Sequence, residues 1–258
     1  MNVLRAEWLK WRTVRMHWLL LGIAIALPIV VSILTAIFRN DGAVERGSVY
    51  ELVLGTSYVT AILSGVAAAV VTSGEYGHLT IRPTFAAMPR RGAVLAAKAV
   101  LTIAIGVVTQ FIVLEVSTNA SFAILESRDI LSSVSSANAR PAMIGSIAFV
   151  ALMALIGHAL GALFRSAPLS ITTIILWPLL VEGIVGALLF AITKDEQMME
   201  WLPFRAGFEM LSYSSWQMPE GGMVMEEGLT RLQASLYFGA VSIGLTLLAS
   251  VVASRRDS

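Results

Sequence analysis

Six long apolar runs alternate with short polar stretches along the chain, at about Trp18–Phe38, Leu52–Ser73, Ala93–Glu115, Ala142–Phe164, Pro168–Ile192 and Leu232–Ala253. Each is close to the roughly 20 apolar residues that an α-helix needs to cross the hydrocarbon core of a bilayer. They are too long for barrel strands and lack period-two alternation, so the pattern predicts six transmembrane helices and an all-α membrane protein. The first run exceeds the 7–15-residue core typical of a signal peptide, so it is expected to be a retained span.

Composition agrees. Of 258 residues, 57% are hydrophobic and 14% charged, and mean hydropathy is +0.78. A soluble domain carries about a quarter charged residues. A net charge of +1 gives no reason to expect nucleic acid as a partner. With no cysteine there are no disulfides, thiolate metal sites or cysteine nucleophiles. No linker or internal repeat divides the chain, which reads as one membrane domain over 1–258.

Lys and Arg placement sets the expected orientation. The N-terminus, 74–98, 165–167 and the C-terminus together hold eleven basic residues, against seven in the longer loops on the other side. Both termini are therefore expected in the cytoplasm.

The N-terminal stretch carries Arg5, Lys10, Arg12 and Arg15 beside Trp8 and Trp11. At 100° per residue, Val3, Leu4, Trp8, Trp11 and Val14 share an arc of about 140°. Either the cations only set topology, or a helix lies on the inner leaflet; the arc favours the helix. Glu7 and Arg15 fall inside the apolar arc and break its pattern. The outer stretch 193–231 is long and carries Trp201, Phe204, Phe208, Trp216 and six methionines. It is expected to form helices lying in or dipping into the outer interface.

The connection between the second and third runs is longer than a simple turn. A short helix is predicted across Thr80–Met88, bounded by Pro89, with Ile81, Phe85 and Met88 on one apolar strip and Arg82, Arg90 and Arg91 as basic neighbours. Such a helix suits a groove on a soluble partner; the alternative is a segment packed on lipid.

At this point the chain resembles the permeases of ABC-2 type transporters, especially small bacterial ones. The resemblance rests on Glu75-Tyr76, Thr80-Ile81-Arg82-Pro83-Thr84, Pro89-Arg90-Arg91 and Ala96-Ala97-Lys98. It also rests on Glu7-Trp8-Leu9-Lys10-Trp11-Arg12-Thr13, on Leu155–Ser166, on Trp201–Gly207 and on the closing Arg255-Arg256-Asp257. It implies half of a translocation pathway in the bacterial cell membrane, two halves associating as a homo- or heterodimer. It further implies a cytoplasmic ABC ATPase docked through the helix between spans two and three, and short outer helices closing the exit between spans five and six. ATP and Mg²⁺ would be used by that partner. This chain has no phosphate-cradling Gly-x-x-x-x-Gly-Lys-Ser/Thr loop and is expected to bind no cofactor and catalyse nothing itself. The sequence departs from the family pattern at Gly77-His78-Leu79, Pro83 and His158.

Ionisable groups within spans are functional candidates by default. Glu182 in the fifth run and Glu75, just after the second, are the candidates for gating or for lining the pathway. Glu182 lies about 21 Å along its helix from Pro168, where it could line the path, pair at a dimer seam or face an outer vestibule. Lys98 is expected to snorkel toward the inner surface. In Gly157-His158-Ala159-Leu160-Gly161 the glycines allow close helix packing and His158 can hydrogen-bond a neighbour. The methionines Met198, Met199, Met210, Met218, Met223 and Met225 are irregularly spaced with no Cys or His beside them, which favours adaptable packing over copper binding.

Two other function classes fit the sequence less well. An intramembrane protease would need Ser64 and His158 as nucleophile and base. An anchor or immunity subunit that sequesters a peptide would have no use for a docking strip at 80–88.

Overall fold

The long apolar runs cannot leave backbone N–H and C=O groups unpaired in lipid, and helices are the structure that satisfies them within one segment. In the computed structural model, residues 3–39, 44–77, 91–131, 139–195, 197–213 and 229–256 are described. Helix α1 is Val3–Thr13, α2 Arg15–Phe38, α3 Arg46–Gly77, α4 Arg91–Ser127 and α5 Arg140–Phe164. A broken span follows: α6 at Ala167–Leu176, a π-helical turn at Trp177–Val181, and α7 at Glu182–Thr193. Helices α8 (Gln197–Glu200) and α9 (Pro203–Glu209) precede α10 (Arg231–Arg256). Six helical stretches are long and apolar enough to cross a membrane, and the described residues contain no β-strand beyond one isolated bridge between Val44 and Leu131.

Two spans outrun their apolar cores. α3 has 32 residues and α4 has 37, or about 48 and 55 Å. Glu115 does not end α4, as the hydropathy pattern suggested. The helix continues because Leu125 is buried against Ala36, Val44 and Val49. From the segment that follows, the Arg128 guanidinium donates to the carbonyls of Ala36 and Ile37 at 3.0 and 2.8 Å, satisfying the open end of α2.

Helix α5 is the most enclosed span and packs against α3, α4, α6 and α10. Small residues let it approach its neighbours. Polar side chains then tie the helices together: the Gln110 amide donates to Ser57 at 2.6 Å and to Ser146 at 3.2 Å, linking α3, α4 and α5. The main apolar cluster joins Phe149 and Met153 of α5 to Phe204 of α9, to Met210 and to Phe238 of α10. Helices α5 and α7 both stop on non-glycine residues in the left-handed region, Arg165 (φ 53°) and Lys194 (φ 58°). Their N–H groups donate to Gly161 and Phe190, a helix-ending device usually given to glycine.

Candidate functional site

At the end of the bundle that carries both termini, charged side chains from α1, α3 and α4 come together. Their centre is Lys98, one side chain between two carboxylates. The Lys98 ammonium lies 2.5 Å from Glu7 of α1 and 2.5 Å from Glu75 of α3. Lys10 adds a second cation, 2.8 Å from Glu7 and 3.8 Å from Glu75. Lys98 and Glu7 are 7% and 4% exposed at the side chain, so Lys98 does not snorkel. Its charge is met inside the protein, where an unpaired ammonium would be costly. Burial alone would push the Glu7 carboxyl up, but Lys98 and Lys10 outweigh it and hold that carboxyl below its ordinary value of 4.5.

This pairing explains the break in the amphipathic pattern of α1. The buried face of the helix is Glu7 and Trp11, while Leu4 and Trp8 of the expected apolar arc are more than 40% exposed. Helix α1 is also fixed at its far end. Trp11 stacks on Trp8 at 5.7 Å and meets the edge of Trp18 at 5.1 Å. The Trp18 indole N–H donates to the Arg12 carbonyl at 2.9 Å and His17 Nδ1 donates to that of Trp11 at 3.0 Å. These bonds satisfy carbonyls that the end of a helix leaves open.

The last turns of α3 are held by three separate neighbours. Thr72 Oγ1 lies 2.9 Å from His158 Nδ1 of α5. Glu75 accepts from Lys98 of α4. Tyr76 lies under the Arg165 guanidinium, 4.7 Å from its ring centre, just after α5. Immediately beyond, the docking candidates Ile81, Arg82, Phe85, Met88 and Arg90 lie outside the described residues. Arg91 is the first residue of α4.

Behind this end, α3 and α5 touch backbone to backbone. A Cβ on Gly157 would sit 2.0 Å from the Gly65 carbonyl oxygen, and one on Gly161 would sit 2.8 Å from that of Ala69. Glycine is required at Gly157 for this approach. His158, between the two, is fully buried and bonded to Thr72. Ser64 Oγ has no hydrogen-bond partner among the described residues, so no Ser64–His158 couple forms.

At the opposite end, Glu182 is buried and does not face lipid. Its two oxygens accept from the backbone N–H groups of Phe204 and Arg205 at 2.8 and 3.0 Å. Pro203 opens α9, so these are free N–H groups of a helix start, and the carboxylate caps them from another segment. The π-helical turn around Pro178 directly precedes Glu182 and sets the helical phase at which it points inward. A cavity of about 410 Å³ opens beside Glu182, Gly186, Met199, Arg205 and Phe208. Phe208 also borders a second cavity of about 240 Å³ with Glu51 and Tyr58. Of the six methionines, Met210 is buried in the main cluster and Met199 lines the larger cavity; Met218, Met223 and Met225 lie outside the described residues. No group of His, Asp or Glu with metal-binding geometry occurs among the described residues.

Glu75, Glu182, Gly157, His158 and Gly161 stand out in the sequence one by one, whereas the partnership of Glu7 with Lys98 does not. The available signal was two misplaced charges of opposite sign, one in an apolar arc and one inside a span.

A family model described as ABC-2 family transporter protein matches residues 3–179 of the chain. Comparison with curated proteins gives no match.

Proposed function

As this chain belongs to the ABC-2 family of transporter proteins, we propose that it is the membrane permease subunit of an ATP-driven exporter, one half of a translocation pathway. The observation that carries this reading is the extent of the match, which takes in α1, the first four spans and the connection at 78–90. The absence of a phosphate-binding loop from the sequence fits a chain whose energy comes from a partner.

In this reading both termini are cytoplasmic, the chain is a single domain in the bacterial cell membrane, and α1 lies on the inner leaflet. The ATPase docks on the 78–90 connection through Ile81, Phe85 and Met88, with Arg82, Arg90 and Arg91 as charged neighbours. ATP and Mg²⁺ are bound by the ATPase. The anchored end of α3 supports this assignment, because a force applied just beyond Gly77 meets a helix end tied to α1 through Lys10, to α4 through Lys98 and to α5 through His158. At the other end, α8 and α9 close the exit, and Glu182 keeps α9 seated while the gate is shut. A second permease half completes the pathway.

The test is Phe85→Asp in a chain co-expressed with its ATPase. The wild-type chain is expected to retain the ATPase through affinity purification, and the variant to insert in the membrane but lose it. Unchanged association would contradict the docking assignment.

A further inference from the structure

We propose that Lys98 is a positioning residue for coupling: held between Glu7 and Glu75, it makes α1, the end of α3 and the start of α4 move together when the 78–90 connection is displaced. This rests on the reading that the ATPase docks on that connection.

Three observations carry it. First, the connection is bounded by the two helices that Lys98 joins. Glu75 is two residues before the end of α3, and Lys98 is seven residues into α4. Second, the third partner is α1, which precedes the first span. Among the described residues the ion cluster supplies a charged tie between α1 and both ends of the connection. α1 also packs along α4, and the aromatic contacts of Trp11 and Trp18 hold it to the start of α2. Third, among the described residues two lysines meet the two carboxylates. Lys10 bonds Glu7 at 2.8 Å and stands 3.8 Å from Glu75. A shift of α1 by about an ångström would let Lys10 take over Glu75 while Lys98 keeps Glu7. Two alternative pairings of the same charges are the kind of discrete element that carries coupling between distant sites. Apolar packing of the same volume would hold the helices at least as well, but would not offer a second defined arrangement.

The experiment is hydrogen exchange of the α1 amides, residues 3–13, in the complex of full chain and ATPase in lipid nanodiscs, with and without a non-hydrolysable ATP analogue and Mg²⁺. In the wild-type complex the analogue is expected to change α1 exchange by at least about fivefold, the low end of ordinary allosteric coupling. In Lys98→Met the ATPase stays bound and still hydrolyses ATP, but α1 no longer responds to nucleotide. Lys98→Arg, which keeps a cation between Glu7 and Glu75, is expected to respond like the wild-type complex. A full response in Lys98→Met, a silent α1 in the wild-type complex, or an assembled Lys98→Arg complex without a response would each overturn the proposal. If Lys98→Met does not assemble, Glu7→Gln decides: it leaves Lys98 on Glu75 and removes the carboxylate on α1, and a full α1 response in it would overturn the proposal. A wild-type chain that binds no ATPase would reject the docking reading itself, and this proposal with it.

Discussion

The Lys98 ammonium lies 2.5 Å from a carboxylate oxygen of Glu7, a residue 91 positions earlier in the chain. This contact joins the N-terminal helix to the third span, and Glu75 extends it to the second. Buried ion pairs are poor sources of net stability, yet breaking one strands a charge. The cluster therefore makes the position of α1 sensitive to single substitutions.

Glu7→Ala leaves Lys98 with Glu75 alone. The variant is expected to lose about 2 kcal/mol of stability, the scale of a hydrogen bond to a charged group. α1 should become open to limited proteolysis. Arg5→Ala, on the exposed side of the same helix, is the control and should leave the cleavage pattern unchanged.

The pH dependence of this attachment follows from Glu7. Its carboxyl is held below 4.5 by Lys98 and Lys10 against the opposing effect of burial. A depressed acid contributes its full stabilisation above the unfolded value and loses it as pH falls through the folded one. Protection of the α1 amides, corrected for the intrinsic pH dependence of exchange, should stay constant from pH 7 to about 5 and fall only below about 4.5.

Gly157→Ala drives a Cβ to 2.0 Å from the Gly65 carbonyl oxygen. Backbone atoms must part, and a loss of about 1–3 kcal/mol or more is expected in detergent unfolding. Gly244→Ala, with nothing within 4 Å of its Cβ, should be neutral or slightly stabilising.

Glu182→Gln keeps the shape of the side chain but removes its charge and one of the two acceptors for the N–H groups of Phe204 and Arg205. Exchange at 203–209 should accelerate while the assembled complex survives, and transport should change. Wild-type exchange at these amides and unaltered transport would reject a gating role for Glu182.

The spans were legible because each apolar run is itself about as long as a bilayer crossing. Their ends were less so. Glu115 marks where the apolar run stops, whereas α4 goes on to Ser127, because Leu125 has a buried place waiting beside Ala36 and Val49. Gly157 and Gly161 could be recognised as a close-packing pair from their spacing. Only the structure shows that the partner is the backbone of Gly65 and Ala69. The π-helical turn at Trp177–Val181 is a change in hydrogen-bond register and leaves no mark in hydropathy. The ion cluster was hidden for a related reason: Glu7 and Lys98 each look misplaced alone, and a single sequence does not say that two exceptions cancel.

A permease half without a phosphate-binding loop is expected to work with a separate ATPase. The most direct measurement is the mass and ATP hydrolysis of the complex purified through a tag on this chain, after co-expression with an ABC ATPase from the same organism. A stable assembly of two permease halves and two ATPase subunits that hydrolyses ATP is the expected result. A chain that purifies without any ATPase under the same mild detergent conditions would contradict it.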